Sequence, residues 1–336
     1  YYCKHCGQGD CPWDQKLSLG TRRMTPAVEE VLTLVGATTS FAKAEFVLEK
    51  VGNIDVAEST VERTTEETGQ SLDEGQSAGQ VFEPQESWPW PLDESGKRCG
   101  YVGVDGIHVR MQGPKGAAAE SRVEYVGRIY IPPELSADEK GRTRYVVGRT
   151  LVAETIERVG GERVERWLCV TDGGAGLQTR LERAFCFSKW ILDFWHAAEH
   201  LRALAQALFA DESQREACFQ QWRHDLKHQG GQEVLKALKN CDTSSYSSTA
   251  SQAYADVVRY FENQLDGMDY PNYRELGWQI GSGPTEAACK VVVADRLKGS
   301  GMRWGVEGAQ RVSRVRALLL NGQAAWDGYW KAHMAA

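Results

Sequence analysis

The sequence predicts an α/β protein: a mixed sheet core interrupted by an all-helical insertion, preceded by a small helical domain and a partial zinc knuckle. Three observations carry this. Apolar, β-branched runs alternate with helical segments over residues 100–192. Helical spacing, with a polar break at Ser244–Ser248, fills residues 193–265. Two further helices, joined by a glycine-rich turn, follow within residues 273–336.

The chain opens with Tyr1, Tyr2 and Cys3, without a start methionine or signal peptide, and reads as shortened at its N-terminus. Cys3 and Cys6 form a C-x-x-C knuckle within residues 1–14, with His5 and Cys11 nearby. A tetrahedral zinc site needs four ligands, usually from two such pairs. The second pair is missing, so Cys3 and Cys6 are candidate zinc ligands from the back half of a ribbon, with Zn²⁺ expected in the full-length protein. A pair of free thiols is the alternative.

Residues 15–70 form the expected helical domain. Thr25 can cap a helix that has Pro26 at its first position and Glu29 and Glu30 in its first turn. A second helix runs over about residues 40–51, with Phe41, Ala44, Val47 and Leu48 on one face, and Gly52 and Asn53 break it. Ser59-Thr60-Val61-Glu62 reads as a capping box opening a third. This is a helix-turn-helix-like pattern, although Glu62, Glu66 and Glu67 suit a phosphate-lined groove poorly, and a plain three-helix packing unit fits equally. Residues 71–99 read as a linker, pinned by Trp88 and Trp90.

The core starts at residue 100. YVGVDGIHVRM, VEYVGRIYI (123–131), RTRYVVGRT (142–150), RWLCVTD (166–172) and CFSKWIL (186–192) are the strand candidates, with a helix over about residues 177–184. Residues 193–272 carry Leu201, Leu204, Leu208, Phe219, Trp222, Leu226 and Leu235 at helical spacing.

Composition narrows the function classes. The 336 residues suit two or three domains, and 42% hydrophobic residues can fill a sizeable core. No apolar run reaches the roughly 18 residues of a membrane span, so no membrane partner is expected. Nine scattered cysteines, an odd count, point to a reducing compartment. The net charge of −7 speaks against a protein that simply coats DNA. The charge is uneven, however: residues 58–98 hold ten acids and three bases, whereas residues 286–331 hold eight bases and four acids. Phosphate contact needs only local positive charge.

Asp105 and Asp172 each follow an apolar strand and precede glycine. Taken singly, either reads more readily as a turn residue. Together they can converge at one sheet edge, where two carboxylates repel unless a cation lies between them. Oxygen-only ligands favour Mg²⁺ or Mn²⁺, and a third acid would complete a two-metal site for in-line displacement at phosphorus. Glu286 is the best third acid. It lies in GSGPTEAACK, where Ser282 or Thr285 can cap a helix starting near Pro284.

These segments resemble bacterial insertion-sequence transposases of the DDE type, close to the ISKra group, with an RNase H-like catalytic core. The resemblance covers nearly the whole chain. YYCKHCGQGDCPWDQKLSLG is similar to that group's zinc-knuckle segment, YVGVDGIHV to its first-acid strand and VTDGGAGLQ to its second-acid motif. IGSGPTEAACKVVVADRLKGSGMRW is similar to its third-acid helix and GMRW tail. The resemblance assigns Asp105, Asp172 and Glu286 as catalytic ligands of two Mg²⁺ or Mn²⁺ ions. It implies a core in two parts, residues 100–192 and 273–336, around a helical insertion over residues 193–272. Asp193-Phe194-Trp195-His196 matches a (C/D)-x-x-H signature of insertion-bearing families, which brings His196 near the metals as a further catalytic residue; a buried histidine on an apolar helix face is the plain reading.

The implied activity is metal-dependent cleavage and transfer of DNA strands. The implied partners are transposon ends and target DNA, bound by a homodimer or higher homo-oligomer in the bacterial cytoplasm, at the nucleoid. Lys290, Arg296, Lys298, Arg303, Arg311 and Arg314 are the candidate DNA-binding residues; an ordinary solvated helix face is their plain reading. Two other functions fit: a domesticated, non-cleaving DNA-binding protein, and a zinc peptidase, since His196-Ala197-Ala198-Glu199-His200 is literally H-x-x-E-H.

Overall fold

The computed structural model describes residues 4–6, 13, 16, 24–82, 86–132, 134–137, 143–146, 150–152, 157–174, 176–244 and 246–335. The fold is mixed α/β, in two compact units. One comprises residues 1–85, 106–124 and 288–336, the other residues 86–105 and 125–287. No helix among the described residues is long and apolar enough to cross a membrane. Cys3 lies outside them, and with it the candidate zinc pair; Cys6 is exposed.

The first unit is helical. Helix α1 (Pro26–Thr38) starts as its sequence predicts, with the Thr25 hydroxyl accepting from the Val28 N–H. Helix α2 (Phe41–Gly52) is capped by Ser40 and ends on Asn53, which takes the left-handed conformation at φ 50°. Helix α3 (Glu58–Ser77) departs from expectation at both ends. Ala57 is its N-cap and Ser59 lies inside it; the Glu45 carboxylate of α2 accepts from the Glu58 N–H at 2.8 Å and does the work expected of the capping box. It runs on to Ser77 because Thr64, Thr65, Thr68 and Leu72 continue one buried face.

The C-terminal helices α12 (Val306–Leu320) and α13 (Gln323–Ala335) belong to this unit, so residues 288–336 group with the N-terminal helices and not with the sheet. The cause is packing. Ala37, Leu72, Val315, Leu318, Trp326, Tyr329 and Trp330 form one buried cluster. Gly69 lets α3 approach so closely that a Cβ there would collide with the Arg311 carbonyl. Between α10 (Gly283–Cys289) and α11 (Asp295–Leu297), residues Lys290–Ala294 form a π-helical turn. The buried Arg316 guanidinium donates to the carbonyls of Val291 and Val292 in that turn, satisfying groups that the wider winding leaves exposed.

The second unit is built on a five-stranded sheet. Its strands are β1 (Cys99–Val109), β2 (Arg122–Tyr130), β5 (Thr150–Val152), β6 (Arg166–Thr171) and β7 (Lys189–Leu192), in the order β5-β2-β1-β6-β7. β1, β6 and β7 run parallel, while β2 and β5 pair antiparallel to each other. A separate hairpin joins β3 (Glu134–Ala137) to β4 (Thr143–Val146). The single strand expected over residues 142–150 is therefore two strands in different sheets, and β3 had no counterpart in the sequence reading. β6 is buried from Trp167 to Thr171, as a parallel strand covered on both faces should be.

Helices α5 (Phe194–Leu208), α6 (Glu212–Gln229), α7 (Gly231–Lys239) and α8 (Ser248–Gln264) form the helical insertion. It is no separate body: Leu168, Val170 and Ile191 of the sheet share one hydrophobic cluster with Leu201, Phe219, Leu235, Phe261 and Tyr270. Trp88 and Trp90 are buried against Trp167, Ile129 and Val159, so the segment before β1 is pinned as expected.

Candidate active site

Register aligns the two aspartates. The parallel pairing of β1 with β6 runs from Cys99↔Arg166 to Gly103↔Val170. Asp105 and Asp172 each stand two residues past that last pair, Asp105 within β1 and Asp172 just beyond the end of β6, on neighbours spaced about 4.8 Å apart. Period-two alternation sends Asp105 to the face of Gly103 and Asp172 to the face of Val170. Asp105 is not at a strand end, as the sequence suggested, since β1 runs on to Val109; it marks the point where its partner β6 stops. Beyond Asp172, Gly173 turns the chain at φ +77°, and the Gly174 N–H donates to Asp172 Oδ1 at 2.9 Å. Both aspartates are half-buried.

The helix bearing Glu286 is fastened to the same face. A Cβ at Gly103 would collide with Thr285 Oγ1, so β1 and α10 meet there side chain to backbone. Thr285 is therefore a buried packing residue, and Ser282 precedes the helix. Arg128 of β2 donates to the Pro284 carbonyl. Glu286 is exposed, and its Oε1 accepts from the Ser282 hydroxyl at 3.1 Å.

Asp193 ties these parts together. Its side chain is 1% exposed, accepts from the His196 N–H at 2.6 Å as the cap of α5, and accepts from the Ser282 N–H. His196 follows in the first turn of α5, with Nδ1 3.8 Å from Glu199. Its ring lies 5.3 Å from that of His200 at 81°. His200 stacks on Tyr260 of α8 at 3.7 Å, and its pKa is lowered by burial and by His196, against Glu199. One turn past Tyr260, Gln264 Nε2 donates to the Gly173 carbonyl at 3.1 Å. Asp193, Tyr260 and Gln264 were not candidates on sequence. Asp193 was visible only as the first letter of D-x-x-H, and the α8 residues lie in a helical repeat without a motif.

The basic residues divide. Lys290, Lys298 and Arg303 are exposed. Arg311 pairs with Glu307 at 3.3 Å, and Arg314 with Asp73 at 2.7 Å. Arg296 is a correction. It is 2% exposed, donates to the Gly36 carbonyl at 2.9 Å and lies over the rings of Phe41 and Trp304. It is a core residue and cannot reach a phosphate.

The donor set of Asp105, Asp172 and Glu286 suits Mg²⁺ or Mn²⁺, being carboxylate throughout. Among the described residues, no group of three or more His, Cys, Asp or Glu side chains is gathered closely enough to hold a metal. Helix α10 packs through Thr285 onto Gly103 of β1, while the exposed Glu286 side chain is turned toward Ser282. The chain matches no family model, and no curated protein matches it.

Proposed function

We propose that this chain is a DDE-type transposase with an RNase H-like core, which cuts and joins DNA at the ends of an insertion sequence. The observation that carries the reading is the equal offset of Asp105 and Asp172, each two residues past the last β1–β6 pair, with the Glu286 helix packed through Thr285 onto Gly103. Asp105, Asp172 and Glu286 would hold two Mg²⁺ or Mn²⁺ ions. Bound there, the ions supply a nucleophilic water or 3′-hydroxyl of lowered pKa and stabilise the leaving 3′-oxygen.

The protein's own contribution is placement. Asp193 holds Ser282, just before α10, and Arg128 holds the Pro284 carbonyl in its first turn, so Glu286 starts from a fixed backbone. Lys290, Lys298 and Arg303 are the exposed members of the basic set and would meet DNA phosphates, although Arg303 also donates to the Gly116 carbonyl at 3.3 Å. The zinc knuckle at Cys3 and Cys6 belongs to the same reading, as do transposon ends and target DNA as partners and a homo-oligomer assembled on them.

The test is to incubate the chain with labelled DNA carrying the element's ends. Nicked or excised ends should form in Mg²⁺ or Mn²⁺ and not in EDTA. Ends left intact by folded protein in both metals, or cut equally in EDTA, would sink the reading.

A further inference from the structure

Tyr260 lies near the end of α8, in the helical insertion. Its ring is stacked on His200, tilted 23°, with the His196 ring 6.3 Å away. The hydrogen bond from Gln264 to Gly173 holds the same end of α8 against the turn that follows Asp172. The Tyr260 hydroxyl is buried and has no hydrogen-bond partner among the described residues. Burial first, and then the nearby Asp172 and Asp193 carboxylates, raise its pKa, so it stays a protonated donor. Asp193 already accepts from two backbone N–H groups, whereas Asp172 accepts from the Gly174 N–H on Oδ1.

A buried hydroxyl without a partner has lost its water and gained nothing in return. Core packing would be served equally by phenylalanine. We propose that Tyr260 is a positioning residue of the Asp172 site, its unused hydroxyl being the donor that would engage and orient the Asp172 carboxylate when a divalent cation binds. The inference rests on the metal-dependent reading above. It gives the insertion a part in the site, because α8 carries both the donor and the Gln264 clamp on the adjoining turn.

The experiment compares wild type, Tyr260→Phe and Asp172→Asn in the full chain, by Mn²⁺ titration without DNA and by thermal melting. The phenylalanine keeps the stacked ring and removes only the hydroxyl. Tyr260→Phe should melt at or above the wild-type temperature yet bind Mn²⁺ about 10–100-fold more weakly, the usual effect of losing a group that orients a metal ligand. Wild-type Mn²⁺ affinity in Tyr260→Phe, with Asp172→Asn impaired, would overturn the role of Tyr260 and leave the metal site standing. A lower melting temperature with unchanged Mn²⁺ affinity would mark a packing role and overturn it equally. Equal Mn²⁺ binding by wild type and Asp172→Asn would instead overturn the metal reading itself, and this inference with it.

Discussion

The Asp193 carboxylate accepts a hydrogen bond from the backbone N–H of Ser282, 89 positions further along the chain. The same side chain caps α5 at His196. One buried acid thus joins the end of β7, the start of the insertion and the loop before Glu286. Asp193→Ala would leave the buried Ser282 N–H and the partly buried His196 N–H without acceptors. Hydrogen bonds to charged groups are worth about 1.5–3 kcal/mol each, so a loss of roughly 3–5 kcal/mol is expected. Urea unfolding measures it, and Asp193→Asn, which keeps one acceptor oxygen, should lose about half as much. A wild-type urea midpoint for the alanine variant would show that the link carries no stability.

Gly103 is required by contact, not by backbone conformation. Its missing Cβ is the space that Thr285 Oγ1 occupies. Gly103→Ala should therefore overpack the junction of β1 and α10 and destabilise by about 1–3 kcal/mol. Thr285→Ala removes the colliding atom, so the double variant should be more stable than the sum of the two single changes implies. Strict additivity in the denaturant midpoints would place the strain elsewhere.

Much of this frame was legible in the sequence, for physical reasons. Strands β1 and β6 are apolar and β-branched, and each has an acid followed by glycine, so both were located with Asp105 and Asp172. The insertion was legible as helical from its spacing alone. What escaped depends on contacts between distant segments. Arg296 looks like any other basic residue beside a third acid, and only the positions of Phe41, Trp304 and the Gly36 carbonyl make it a core residue. Ser59 has the letters of a cap, but Glu45 of another helix supplies the acceptor. Tyr260 gives no signal, because aromatic residues at helical spacing usually mean packing.

Acid should weaken the helical layer through His200. Burial, then His196, lower its pKa from the ordinary value near 6.5, and Glu199 only partly offsets them. The unfolded chain then binds a proton that the folded ring resists, so the stability is full above about pH 6.5 and declines as pH falls toward the folded pKa. His200→Phe keeps a ring against Tyr260 and removes the titration. Its urea midpoint should vary less than that of wild type between about pH 5 and 7; identical slopes would remove His200 as the cause.

The basic stretch should separate into two classes of variant. Arg296→Ala removes a buried guanidinium, its hydrogen bond and its ring contacts, for a loss of roughly 2–4 kcal/mol in stability. Lys298→Ala and Arg303→Ala should leave folding intact, weaken binding to many DNA sequences alike, and flatten the dependence of affinity on salt, each lost phosphate contact taking about 0.9 from the slope. Binding isotherms at several salt concentrations measure this. An unchanged slope in the double variant would return both residues to a solvated surface.

The three acids should behave as one unit. Asp105→Asn, Asp172→Asn and Glu286→Gln keep side-chain shape and each remove one charge. Each should abolish strand cleavage in Mg²⁺, because a metal site weakens when a charged ligand becomes a neutral amide and the displacement loses its charge stabilisation. DNA binding should persist, since it rests on the exposed cations, and it should tighten slightly without metal, where a carboxylate otherwise repels phosphate. Combining any two should cost little beyond the first, since removing one ligand already disables the site. Ca²⁺ should support binding with little cleavage, its longer bonds and looser geometry misplacing the nucleophile. His196→Ala should only slow the reaction, as its ring is not among the carboxylate donors. Glu286 is the sharpest case, because its side chain now rests on Ser282 and must turn to join the aspartates. Ser282→Ala should therefore leave cleavage intact, while Glu286→Gln cleaving at the wild-type rate would remove it from the site.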